Sequence, residues 1–360
     1  MLPLSGIHVI DLSMLLPGPL ATQILRDLGA RVTKVEPPSP GDYMALWPPM
    51  VGPISATYAA VNRGKEILSL NLKEDADRQR FLQLAREADV VLEGFRPGVI
   101  AKLGIGFPVL SQVNPRLVLC SISGYGQEGP YAQRAGHDLN YQALAGVLSI
   151  SGGDTTSPPN PQLQVADTAA GSYAAAMLVL AALMEREKTG RGRHVDISMA
   201  EQLLPLMSTL YAAADALEKD PGRDGELLSG GAPSYRIFRT RDNQFVTVGA
   251  LEPKFWLTLV TKLGLPELVD APFHGGAGAA HVVSRLADAF ERLTQAECEE
   301  LFADADACCE PVLSFGEVRA HAHWQARRSF LPLATPDGRT LHVPKMPASL
   351  AGFDTEENAG

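Results

Sequence analysis

Ile7-His8-Val9-Ile10-Asp11-Leu12, then Pro17-Gly18-Pro19 opening a helical run from Leu20 to Leu28, then Gly29 and Arg31-Val32-Thr33-Lys34-Val35-Glu36, reads as strand, helix, strand. A short apolar run bounded by turn residues is the pattern of a buried strand. Proline at the helix entrance and glycine at its exit are the expected start and stop signals. Pro37-Pro38 ends the second strand. The alternation continues with a helix over Glu74–Ala88 and strands over Val90–Glu93 and Leu117–Ile122. Strands alternating with helices predict an α/β fold whose mostly parallel sheet is covered on both faces. The loop Ser13-Met14-Leu15-Leu16-Pro17-Gly18-Pro19 lacks the glycine spacing that brings a pyrophosphate onto a helix N-terminus, and no Walker-type loop is present. Ordinary NAD or ATP chemistry is therefore not indicated.

Further along, Ser151–Pro161 is a Gly/Ser/Pro-rich connection, and helices are expected over Thr168–Lys188 and Leu203–Leu217. Pro221–Pro233 reads as a glycine-rich linker. Tyr235–Val248 reads as a hairpin turning at Asp242-Asn243, followed by helices over Phe255–Leu263, His281–Phe290 and Gln295–Ala305. The expected organisation is a large domain over residues 1–220, a linker and small α+β domain over 221–330, and a C-terminal segment over 331–360 returning to the large domain. With 360 residues and 46% hydrophobic composition, the chain supports two cores. A net charge of −10 argues against nonspecific nucleic-acid binding, although a local basic pocket stays open. Cys120, Cys298, Cys308 and Cys309 suit neither a disulfide framework nor a zinc site, which fits a reducing cytosol. No signal peptide is evident, and Ala174–Met184 is too short to span a bilayer, so it is expected to be a buried helix of a cytoplasmic protein.

Three separated residues carry acid/base potential. Gly136-His137-Asp138 lies in a turn-rich stretch, Asp167 heads a run of small residues, and Glu252 stands in Gly249-Ala250-Leu251-Glu252-Pro253. Each has an ordinary reading: His137 as a loop histidine bonded to local backbone, Asp167 and Glu252 as helix caps. Each also has a chemical one. A histidine titrates near neutrality and suits a general base. A carboxylate can serve as base or nucleophile, or can orient an imidazole. Asn62-Arg63-Gly64-Lys65 and Arg96-Pro97-Gly98 fall in loops near strand ends, where they could neutralise phosphates or simply face solvent. Trp47, Tyr58 and Phe95 admit either stacking or core roles.

Taken in order, the motifs resemble the family III CoA-transferase superfamily (CaiB/BaiF type), most closely its α-methylacyl-CoA racemase branch. They run from Leu4-Ser5-Gly6 and Asp27-Leu28-Gly29-Ala30 through Asn62-Arg63 and Glu93-Gly94-Phe95-Arg96-Pro97-Gly98. Gly124–Pro130, Ala135–Tyr141, Asp167, Thr189-Gly190-Arg191-Gly192, Gly230-Gly231-Ala232-Pro233 and Gly249–Phe255 complete them. The resemblance implies a Rossmann-like large domain, a smaller α+β domain and an interlocked homodimer. It further implies His137 and Asp167 as the two acid/base groups for a 2-methyl-branched acyl-CoA, with Glu252 of the second subunit supporting His137. Backbone N–H groups near Asp167 would hold the thioester enolate. Coenzyme A would be part of the substrate, with no tightly bound cofactor or metal. Lys34, Asn62, Arg63, Lys65 and Arg96 are the CoA-contact candidates. In the transferases the aspartate equivalent to Asp167 attacks the thioester carbonyl instead. Two departures stand out: Asp167-Thr168-Ala169-Ala170-Gly171 replaces a common Asp-Phe-Gly-Gly-Gly, and Pro37 stands where an arginine is frequent.

Overall fold

Val9, Ile10, Val90, Val91, Leu92, Val118 and Leu119 are fully buried, as strands covered by helices on both faces must be. The computed structural model describes residues 2–152, 157–223 and 226–345. Contacts divide the chain into two compact units. The first takes Met1–Ala145, Asn160–Ser208 and the chain from Ala322 onward; the second takes Gly146–Pro159 and Thr209–His321.

The first unit is built on six strands: β1 (His8–Asp11), β2 (Arg31–Glu36), β3 (Glu66–Ser69), β4 (Val90–Glu93), β5 (Val118–Ser123) and β6 (His194–Ser198). All are parallel, in the order β3-β2-β1-β4-β5-β6. This is the doubly wound order, in which the connections leave β1 in opposite directions. The crevice at the carboxyl ends of β1 and β4 is consequently uncovered by either set of crossovers.

Alternate strand residues face different helices. Ile10, Val91 and Leu119 pack with Phe81 and Ala85 of α3 (Asp75–Glu87). A different helical layer combines α1 (Pro17–Asp27) with α5 (Ala174–Thr189), which pack on each other and on the sheet. Two short helices, α2 (Ala56–Asn62) and α4 (Asp138–Leu144), lie between these layers in sequence. Helix α1 starts at Pro17, three residues before the sequence reading placed it, because Pro17 and Pro19 suit a first turn that needs no N–H donors. Gly18 permits the close approach: a Cβ there would lie 2.1 Å from Ser13 Oγ.

Ahead of α5, Ala166–Tyr173 forms a π-helical turn. The continuous run Ala166–Thr189 is long and apolar enough to cross a bilayer, but half of that stretch is buried in the protein, and α5 packs on β5, β6 and α1. At the end of the described chain, β10 (Phe330–Ala334) and β11 (Thr340–Pro344) pair antiparallel. Arg339 between them donates to the Met50 carbonyl at 2.7 Å.

The second unit is α+β. Strands β7 (Tyr235–Arg239), β8 (Phe245–Gly249) and β9 (Cys309–Pro311) form an antiparallel sheet in the order β9-β8-β7. The expected hairpin turn is present, with Asn243 at φ 60°, a conformation that asparagine tolerates. Helices α6 (Pro253–Lys262), α7 (Ala279–Phe290) and α8 (Gln295–Phe302) bury Trp256, Leu259, Leu286 and Phe290 with Val246 and Phe238. On the opposite strand faces, Tyr235 and Ile237 are exposed. The run expected as one helix over Leu203–Leu217 is split into Leu203–Leu206 and Ser208–Leu217, either side of Met207.

Candidate active site

The carboxyl ends of β1, β4, β5 and β6 open into a cleft of about 380 Å³. Its wall includes the β1–α1 loop, Gly94-Phe95-Arg96-Pro97, Gly124 and Met199, closed by the loop Arg134–His137 and by Asp167. His137 and Asp167, predicted as partners, thus line one cavity.

The β1–α1 loop is held by a buried charge network. Asp11, at the end of β1, is fully buried and pairs with Lys65 at 3.1 Å. It also accepts from the Thr22 hydroxyl at 2.6 Å and from the Ser13 N–H at 2.9 Å. Burial alone would raise the Asp11 carboxyl, but the ammonium groups of Lys34 and Lys65 overcome this and hold it well below the usual carboxylate range. Lys34 bonds the Ser13 carbonyl at 2.6 Å and faces the buried Asp42 at 3.3 Å. Asp42 in turn accepts the Leu15 N–H at 3.1 Å. Leu15 has φ 64°, so a strained, non-glycine turn is clamped into the cleft wall by a buried carboxylate.

Asp167 sits in the first turn of the π-helix, not at its cap. The capping is done by Asp138, whose Oδ1 accepts from the N–H groups of Ala166 at 2.8 Å and Asp167 at 3.1 Å. The other Asp138 oxygen accepts from Gln142. Burial, and then the charge of Asp138, push the Asp167 carboxyl up to about 7. A π-turn is a common distortion at functional sites. The N–H groups expected to receive an enolate are not open: those of Ala166 and Asp167 bond Asp138, and that of Thr168 bonds the Gln164 carbonyl at 2.9 Å. A backbone donor has one hydrogen, and here it is already engaged.

His137 is the N-cap residue of α4, and its main-chain N–H donates to Asn140 Oδ1 at 3.0 Å. The residue is exposed and its side of the loop faces the cleft. Tyr141 fixes this loop by donating its hydroxyl to the Gly136 carbonyl. Burial, with a contribution from Asp167, pushes the Tyr141 phenol far up, so it remains a donor. Tyr125 packs edge-on against both Tyr141 and Tyr131 at 5.1 and 5.6 Å between centroids. The Arg134 guanidinium lies 4.3 Å from the Tyr131 ring centroid. Gly136 cannot be replaced cheaply: a Cβ would meet the Tyr141 ring at 2.8 Å.

Of the five CoA-contact candidates, Arg96 lines the cleft. Lys34 and Lys65 are buried in the network around Asp11. Asn62 accepts from Lys65 at 3.0 Å and donates to the Tyr58 carbonyl at 3.1 Å. Arg63 pairs with Asp27 and donates to the Ala60 carbonyl at 3.1 Å. The Asn62-Arg63 and Asp27-Leu28 motifs therefore meet and lock α2 to α1. Phe95 lines the cleft, Tyr58 donates to Glu36 at 2.8 Å, and Trp47 is exposed against Tyr43. Arg134 was not singled out from sequence, and Tyr141 entered only as the last residue of the Ala135–Tyr141 motif, without a role; both fall within four residues of His137, which was the available signal.

Glu252 belongs to the second unit. It is the N-cap residue of α6, but its side chain makes no capping bond and is exposed. Its main-chain carbonyl accepts from Phe255 and Trp256, so the carboxylate is not consumed by the cap.

Comparison with known proteins adds to this geometry. The sequence pattern of CoA-transferase family III matches residues 4–359. The human alpha-methylacyl-CoA racemase is 37% identical over 91% of this chain and 82% of its own length. The acetyl-CoA:oxalate CoA-transferase of Acetobacter aceti is 38% identical over 75% of this chain and 69% of its own. A CAIB/BAIF family protein from Brucella suis superposes with a TM-score of 0.84 at 28% identity, covering 98% of this chain and 94% of that one.

Proposed function

This chain belongs to CoA-transferase family III, and on that premise we propose that it is an acyl-CoA racemase or epimerase acting on 2-methyl-branched acyl-CoA thioesters. The observation that carries the reading is the pairing of His137 with Asp167 along one cleft, the latter with its carboxyl raised to about 7. A base poised near the working pH combines the correct protonation state with useful driving force. One of the two takes the α-proton, leaving an enolate of the thioester. The other returns a proton to the opposite face, so substrate and product have the same composition and the two residues exchange protonation states. Arg96 and Arg134 supply positive field for the enolate and for the CoA phosphates. Lys34, Asn62, Arg63 and Lys65 act from beneath, holding the β1–α1 loop and α2 in place.

Glu252 of a second subunit supports the His137 imidazolium in this proposal. The proposal takes the protein as an interlocked homodimer; the exposed Tyr173, Met177 and Met184 along the π-turn and α5, with Leu204 and Leu206 beyond β6, are apolar surface that association would cover. CoA enters and leaves as part of the substrate.

A second reading is favoured by one feature. Neither Arg96 nor Arg134 has a carboxylate partner among the described residues, and both line the cleft that holds Asp167. Such a pair also suits a free carboxylic acid. In that case Asp167 attacks the thioester carbonyl, releasing CoA thiolate and forming an acyl-aspartyl anhydride. The thiolate then attacks the Asp167 carbonyl, expels the acyl carboxylate and leaves an aspartyl-CoA thioester for the incoming acid.

Incubation with a 2-methylacyl-CoA in deuterated water separates the readings. Racemisation exchanges the α-hydrogen, and Asp167→Asn abolishes the exchange from the enantiomer whose proton faces Asp167. Transfer to a free acid, with hydroxylamine trapping of Asp167 and no α-exchange across several acyl chains, would overturn the racemase reading.

A further inference from the structure

Glu93 is a buried carboxylate that the proton-transfer scheme does not use. It ends β4, is 1% exposed, and stands immediately before Gly94-Phe95-Arg96-Pro97, all of which line the cleft. Its Oε2 accepts the Phe95 N–H at 2.6 Å. The remaining neighbours come from the adjoining strands. From β5, the Ser121 hydroxyl hydrogen-bonds the carboxyl, and that hydroxyl lies 2.9 Å from His194 Nε2. From β6, Asp196 faces Glu93 as a like charge, and Cys120 on β5 senses Glu93 in turn. On the β1 side, Ser13 is the side chain nearest Gly94. Among the described residues, no cation acts on the Glu93 carboxylate. The loop it holds is tied again farther on, where Gln133 donates to the Pro97 carbonyl at 3.0 Å, one residue from Arg134.

We propose that Glu93 is a positioning residue for the substrate cleft: by holding the Phe95 N–H it sets the turn that carries Arg96 toward the anionic part of the thioester. This rests on the acyl-CoA reading in one respect, that Arg96 contacts the substrate. An ionised carboxylate accepts an N–H roughly twice as strongly as a neutral group does, so the turn is tightest when Glu93 is charged. Burial first, and then Asp196, raise the Glu93 carboxyl to about 7, against the lowering effect of the Ser121 and Phe95 bonds. The turn therefore loosens as pH falls through neutrality.

The wild-type protein, labelled with 15N-phenylalanine, provides the direct test. The Phe95 amide resonance should titrate with a midpoint near 7 and should cease to titrate in Glu93→Gln. A Phe95 amide that is flat with pH in wild type overturns the proposal and needs no variant to fold. Calorimetry with free CoA supplies the second arm. Glu93→Gln should weaken binding at least five-fold at pH 8, and the same change in an Arg96→Ala background should have no further effect. Equal losses in both backgrounds would mean that Glu93 acts by some route other than Arg96, and would overturn it. Neither readout requires turnover. Absence of α-exchange alongside a titrating amide and a non-additive pair would remove the racemase reading and leave this one standing.

Discussion

The Asp138 carboxylate accepts the main-chain N–H of Asp167 at 3.1 Å, so the residue that caps the π-turn also adds, after burial, to the raised Asp167 carboxyl. Charge and hydrogen bond can be separated by substitution. Asp138→Asn keeps an acceptor oxygen and removes the charge. If Asp167 takes the α-proton as proposed, kcat/KM in that direction should rise with pH through about 7 in the native protein. The variant should move that limb to lower pH, burial of Asp167 keeping it above the ordinary carboxylate value. A pH–rate profile from pH 5 to 9 checks this. Asp138→Ala should also lose the cap, at about 1 kcal/mol of stability.

Asp167 carries a stability signature of its own. A carboxyl raised from about 4 when unfolded to about 7 when folded binds its proton more tightly in the native state. Stability is therefore lost as pH climbs between those values, and the loss is complete above 7. Asp167→Asn removes the penalty. The variant should be more stable than wild type at pH 8 by about 1–2 kcal/mol, a figure reduced for the solvent that still reaches the group. The difference should vanish below pH 4. Thermal melts at the two pH values measure it.

His137→Ala should split the two stereochemical directions. With Asp167 alone remaining, α-hydrogen exchange should persist from the enantiomer whose proton faces Asp167. Exchange from the other should fall by about 10²–10⁴-fold, the usual worth of a general base. Proton NMR of each enantiomer in deuterated water reads this, and equal losses for both would exclude a two-base arrangement.

Lys65→Met should destabilise the large unit without touching the cleft lining. It leaves the fully buried Asp11 with the more distant Lys34 as its compensating charge. Removing one partner of a buried pair costs about 3–5 kcal/mol. Urea unfolding should show it, and Asp11→Asn in the same background should recover part of the loss.

Arg134→Ala separates the two catalytic readings. In a racemase it should raise KM for the acyl-CoA about ten-fold, or about 1.4 kcal/mol. In a transferase it should raise KM chiefly for the free acid. Initial rates against each substrate decide between them.

Much of the architecture was legible because burial writes itself into sequence. Ile7–Leu12, Val90–Glu93 and Leu117–Ile122 lie at the centre of the sheet, where both faces are covered and most residues are apolar. Two strands of that sheet that went unread, Glu66–Ser69 and His194–Ser198, are its two edges. An edge strand is partly solvated, so its composition looks like a loop. Cys309–Pro311 escaped for the same reason: three residues at the edge of the small sheet carry no period.

Among the site residues, the chain alone determined the residue types: a histidine, two carboxylates and several cations in turn-rich segments at strand ends. It also determined the alternating pattern that makes a doubly wound sheet, because hydrophobic periodicity is a local property. Only the tertiary structure decided which groups share a cavity and which are buried as scaffold. It set His137 and Asp167 along one cleft with Arg96, and it turned Lys34 and Lys65 inward to Asp11 and Asp42. It also engaged the Ala166 and Asp167 N–H groups with Asp138. Charge is visible in a sequence, but its protonation and its partner depend on distance and burial, which exist only after the chain has closed on itself.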